Sequence, residues 1–94
     1  MRSLLIRHTV ADYDAWRRAF DADAGTRRAN GSGGARVFRS DADPDEVWVL
    51  LEWDDLQRAR LFVRSDDLMD LMERAGVTDR PDCWYLEEPD SPEV

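Results

Sequence analysis

The chain contains no lysine: all 13 of its basic residues are arginine. Without an ε-amino group there is no Schiff base with a carbonyl substrate and no internal aldimine with a pyridoxal cofactor. Cysteine and histidine occur once each, as Cys83 and His8, so neither an internal disulfide nor a multi-cysteine or multi-histidine metal site can be built. One histidine still leaves single axial ligation of a haem arithmetically open. The expected cofactor and metal complement is therefore none, and an unpaired thiol fits a cytoplasmic compartment. Long hydrophobic runs are also missing. The apolar stretch in Met1–His8 is too short for a signal peptide, and no segment approaches the roughly 20 apolar residues of a membrane span. Basic tracts are absent too, and a formal net charge of -8 makes a nucleic-acid backbone or an anionic membrane surface a poor partner.

What the chain does have is an apolar run, Glu46–Trp53, rich in β-branched and aromatic residues and read as a strand. Alternation puts Val47, Val49, Leu51 and Trp53 on one face and Trp48, Leu50 and Glu52 on the other, so both faces are largely apolar. Upstream, Ser3–Val10 reads as a strand with Leu4, Ile6 and His8 on one side. Asp12 is placed to cap a helix whose stripe is Tyr13, Trp16, Phe20 and Ala24 over about four turns. Asn30–Gly34 reads as a glycine-rich linker, Ala35–Ser40 as an edge strand, and the acidic loop up to Asp45 as its turn into the apolar strand. Asp54 or Asp55 starts a second helix, Ser65 re-caps it, and Gly76 ends it. A last strand is expected at Asp82–Glu88, giving one domain over residues 1–88 and a polar tail over 89–94.

That order, β-α-β-β-α-β, predicts an α+β ferredoxin-like fold: a four-stranded antiparallel sheet with strands one and three at its centre and both helices on one face. The opposite face is then bare, although Val47–Leu51 and Leu4–Ile6 are apolar on both sides. A second copy packed sheet to sheet would cover it, so a homodimer is expected.

Four segments resemble the antibiotic biosynthesis monooxygenase superfamily, the dimeric α/β-barrel group: Leu4–Trp16 with its Asp-Tyr-Asp-x-Trp helix start, Arg36–Arg39, Val49–Leu56 with Glu-Trp-Asp-Asp, and Trp84–Glu88. The resemblance implies a homodimer with one pocket per subunit between sheet and helices. It also implies chemistry ranging over cofactor-independent oxygenation of aromatic polyketides, cyclisation, lactone isomerisation and haem binding. The monooxygenase branch often places an asparagine and a tryptophan in the pocket. The one asparagine here, Asn30, stands beside the glycines, which keeps cyclisation and isomerisation level with oxygenation.

The antiparallel order brings His8, Trp48 and Trp84 to one end of the sheet, with Tyr13 and Trp16 from the first helix and Met69 and Met72 from the second. In the catalytic reading, His8 and Tyr13 move a proton of a phenolic or enolisable ligand. Trp16, Trp48, Glu52, Met69, Met72 and Trp84 contact that small aromatic or apolar ligand. A plain core role competes for Trp16, Trp48, Met69 and Met72, and a salt bridge to Arg36 competes for Glu52. Asp41, Asp43, Asp45 and Glu52 imitate the spacing of a calcium loop, but Glu46 stands where glycine is needed and an apolar strand follows, so no metal is assigned. Two functional classes remain: a cofactor-independent enzyme, or a dimeric binding or structural module without turnover.

Overall fold

The computed structural model describes residues 1–93. Its elements are β1 (Arg2–Thr9), α1 (Tyr13–Ala22), α2 (Ala24–Asn30), β2 (Ser32–Arg39), β3 (Glu46–Trp53), α3 (Leu56–Val63), α4 (Asp66–Arg74) and β4 (Asp82–Glu87). The strands form one antiparallel sheet in the order β2-β3-β1-β4, the ferredoxin-like α+β arrangement. Pro89–Glu93 is exposed and forms neither helix nor strand; Val94, the end of the expected tail, lies outside the described residues.

Local chemistry explains the helix starts. Asp12 and Asp55 accept hydrogen bonds from the backbone N–H groups of Asp14 and Gln57, and the Ser65 hydroxyl accepts from Leu68 N. Each side chain satisfies an N–H that the helix leaves without a partner. Ser65 thereby separates α3 from α4. The first helical stretch also breaks, at Asp23, where the long stripe from Tyr13 suggests continuity. Asp23 ends α1 and begins α2.

The expected linker at Asn30–Gly34 is mostly strand. Gly31 takes the left-handed conformation, φ 115°, that ends α2, and β2 begins at the next residue. The pairing with β3 then shifts between Ser32 and Gly34, so one extra residue bulges out of the ladder. Glycines and a bulge give the same local sequence signal as a flexible link. Only the facing strand shows that this backbone is paired.

Leu4, Ile6, Val47, Val49, Leu51 and Trp53 line the sheet face beneath the helices and join Trp16, Ala59, Phe62, Leu68 and Leu71 in one buried core. Burying aliphatic and aromatic side chains of this size contributes about 1.5–3 kcal/mol each. Opposite residues in the ladder share a face. The other face therefore carries Leu5 and Arg7 of β1, Trp48, Leu50 and Glu52 of β3, Arg36 and Phe38 of β2, and Trp84 and Leu86 of β4. No helix covers it. Phe38, Trp84 and Leu86 are each more than 40% exposed there (44%, 42% and 42%), and the Trp48 and Trp84 rings stack at 5.8 Å.

Candidate functional site

His8 stands opposite Val47, on the helix-facing side of β1, and is 3% exposed. Neither ring nitrogen has a hydrogen-bond partner. A buried polar atom without a partner costs about 1–3 kcal/mol, and an imidazole has two. Burial, helped by the neighbouring Arg7 charge and opposed by Asp79, lowers its pKa from 6.5 to about 4. Removing water penalises the charged ring, so His8 is neutral at pH 7.

The ring borders a cavity of about 30 Å³ walled by Ile6, Trp16, Phe20, Arg27, Met72 and other apolar side chains. That volume holds about one or two water molecules and no aromatic ring. Trp16 meets the imidazole edge-on at 5.7 Å and stacks on Phe20 at 5.0 Å. Arg27 completes the row, its guanidinium 3.7 Å from the Phe20 ring centre. Arg27 donates to Phe20 O at 2.6 Å and lies 3.8 Å from Asp23; burial lowers its pKa, yet so strong a base stays charged. The cavity is thus bordered by a neutral imidazole and a buried arginine, while the surface facing into it is almost wholly apolar.

Arg27 is the site residue that the sequence reading misses. Its signal was present: it follows Phe20 by seven residues and so continues the Trp16–Phe20 stripe, but an arginine on an apolar stripe looks like the edge of a solvated face.

Of the residues expected around His8, the structure brings Trp16 and Met72 to the cavity. Tyr13 packs against Trp16 at 5.8 Å, with the Arg39 guanidinium 4.2 Å over its ring, and is not among the residues that line the cavity. Trp48 and Trp84 do reach the same end of the sheet but stand on the opposite face, because β1 pairs Arg7, not His8, with Trp48. Glu52 lies on that face too. The bulge sets it against Gly34 and leaves Arg36 opposite Leu50, so the expected Arg36–Glu52 salt bridge does not form; the Arg36 guanidinium lies 5.3 Å over the Phe38 ring instead. Met69 is 64% exposed and borders a separate surface depression with Met72.

Two further polar features frame the site. Arg7, on the open face, lies 3.4 Å from Glu46, 3.3 Å from Asp79 and 3.5 Å from Asp82, while Asp79 accepts from Thr9 N at 2.7 Å. This network ties the loop before β4 to the end of β1. Among the described residues, Trp53 Nε1 is the other buried side-chain nitrogen without a partner; its ring packs on Phe62 at 5.2 Å. Among the described residues, no three His, Cys, Asp or Glu side chains are grouped to share a metal ion, and no helix is long and apolar enough to cross a membrane.

A helix-covered antiparallel sheet with a buried cavity between the layers defines the class, and comparison with known proteins gives the family. The family model for antibiotic biosynthesis monooxygenases matches residues 6–74, so the chain belongs to that family. Solved structures agree in fold. An antibiotic biosynthesis monooxygenase homologue from Bordetella bronchiseptica shares 14% identity at a TM-score of 0.76, over 93% of this chain and 95% of that one. SnoaB, a cofactor-independent oxygenase from Streptomyces nogalater, shares 12% at 0.76, over 99% and 97%. A Deinococcus radiodurans homologue shares 15% at 0.70, over 100% and 98%. No curated protein sequence matches the chain.

Proposed function

We propose that the protein is a cofactor-independent enzyme that removes a proton from an enolisable or phenolic aromatic compound of the polyketide type, and that His8 is the base. The observation carrying this reading is the buried imidazole: both nitrogens lack partners and the ring is neutral at pH 7. A base with a pKa of about 4 is weak toward an ordinary phenol, since catalysis is most effective near the operating pH. The substrate supplies the compensation. Once the proton has moved, imidazolium and enolate form a neutral pair, so the penalty that burial places on the cation alone is offset by the adjacent anion. Arg27 stabilises the same negative charge from the other end of the cavity.

The enolate is then the electron source. In the oxygenase version, a methylene between aromatic or carbonyl groups reacts with dioxygen, CH₂ + O₂ → C=O + H₂O, and the carbon gives up the four electrons that dioxygen takes. In the cyclase or isomerase version, the enolate carbon attacks an internal carbonyl or is reprotonated elsewhere, and no oxidant is needed. Family membership and the SnoaB-like fold support the first version.

The homodimer belongs to this reading. Trp48, Trp84, Leu5 and Leu50 make an apolar patch on the bare sheet face, and a second copy packed against it would place the two cavities on the outer sides of the pair. A second functional reading, a binding or structural module without turnover, draws on one observation: the cavity is only about 30 Å³, nearly filled by its own side chains.

Turnover separates the readings. Dithranol, an enolisable tricyclic phenol, is supplied to the purified protein while oxygen uptake and product absorbance are followed. The enzyme reading expects conversion above the buffer rate. Binding without conversion, of dithranol and of a wide panel of phenols, would leave the module.

A further inference from the structure

The reading of His8 as base meets a difficulty of size, because a cavity that holds one or two waters admits no aromatic substrate. A second space lies beside it. Val63, Leu68, Met69, Met72, Arg80, Pro81 and Cys83 surround a surface depression of about 460 Å³ between α3, α4 and the start of β4, within the 300–1,000 Å³ usual for small-molecule sites. Leu68 and Met72 line both spaces. They are four residues apart and so share one face of α4.

We infer that this depression is the binding site for the body of the aromatic substrate, and that Met72 is the movable wall through which its reacting carbon reaches His8. The proposal rests on the catalytic reading above. Leu68 is branched and 7% exposed, held by the core. Met72 is partly buried and unbranched, with three rotatable bonds, so it can change rotamer without disturbing the helix. The thioethers of Met69 and Met72 favour aromatic contacts. Arg80 is exposed at the rim, where its guanidinium suits an oxygen substituent on the outer ring. The occupant is therefore a planar fused-ring compound with a weakly acidic hydroxyl or ketone directed outward. The exposure of Met69, unexpected for a core residue, then follows from its place on the binding surface.

Cys83, the only cysteine, gives a reporter inside the depression, since its thiol is partly buried there. The full-length protein is alkylated with iodoacetamide with and without 2-naphthol, a fused-ring phenol that does not readily consume oxygen. At ten times its dissociation constant, 2-naphthol should slow alkylation of Cys83 by roughly tenfold. Met69→Glu places a charge at the rim without touching the His8 cavity, and should weaken 2-naphthol binding at least tenfold with an unchanged melting temperature. Met72→Ile keeps the volume but stiffens the wall; it should leave protection of Cys83 intact and lower kcat for dithranol.

Protection of Cys83 without dithranol turnover would support the binding site and remove the enzyme reading. Turnover with Cys83 unprotected and Met69→Glu unaffected would keep the enzyme reading and overturn the depression. Absence of protection up to about 1 mM probe would overturn it as well. So would a thiol that is inert in the assembled protein and becomes reactive on dilution, because a second copy would then occupy the surface.

Discussion

Acid should destabilise this protein through His8 in particular. The folded-state pKa of about 4 lies below the ordinary value of 6.5, so between these values the unfolded chain binds more protons than the folded one. Stability therefore rises with pH across that window and is lost as pH falls through it. At about 1.4 kcal/mol per pKa unit, the gap is worth about 3 kcal/mol, of which about 2.5 kcal/mol is lost by pH 4.5. That is a large fraction of the stability of a small domain. Many carboxylates titrate in the same range, so the comparison must be made against a variant that keeps them all. His8→Gln is such a variant. Denaturant unfolding of wild type and His8→Gln at pH 7 and pH 4.5 should show wild type losing about 2 kcal/mol more than the variant. An NMR titration of the lone histidine should place its midpoint well below 6. Parallel loss of stability in the two proteins, or a midpoint near 6.5, would refute the claim that burial holds the ring neutral.

Other outcomes follow from the geometry. Leu50→Arg puts an unpaired charge in the middle of the bare sheet face and should weaken the proposed homodimer by roughly 10²-fold or more; sedimentation of the wild type as a 10.9 kDa monomer would overturn that proposal. Gly31→Ala is strained twice, by φ 115° and by a Cβ that would stand 2.6 Å from an Asp54 carboxylate oxygen, and should cost about 1–3 kcal/mol in denaturant unfolding. Arg27→Met loses the bond to Phe20 O and the ring contact; it should destabilise by about 2 kcal/mol and, with the substrate anion unsupported, lower kcat more than it raises KM.

How much of this was legible in the sequence depended on how local the determinant was. Helix starts at Asp12, Asp55 and Ser65 could be read because a capping side chain acts within three residues of itself. That His8 shares a face of β1 with Leu4 and Ile6 could be read from alternation alone. The placement of Trp48 and Trp84 could not: whether they share a face with His8 depends on the register between strands, and a shift of one residue reverses it. The same holds for Glu52, whose neighbour is decided by a bulge around Gly33 in another strand. Arg27 was hidden for a different reason. Its burial depends on stacking with Phe20 and on a bond to the Phe20 carbonyl near the end of α1, neither of which composition reveals. Cavity size lies furthest from the sequence, since it is the small remainder after all the large side chains have packed.

If the buried imidazole of His8 is the proton acceptor of this cavity, kcat/KM for dithranol must fall when His8 becomes glutamine. Glutamine keeps a polar group of similar reach but cannot accept the proton. His8→Gln should stay folded, by melting temperature at pH 7, with kcat/KM lower by roughly 10² to 10⁴. A folded His8→Gln variant that turns over dithranol at the wild-type rate would contradict it.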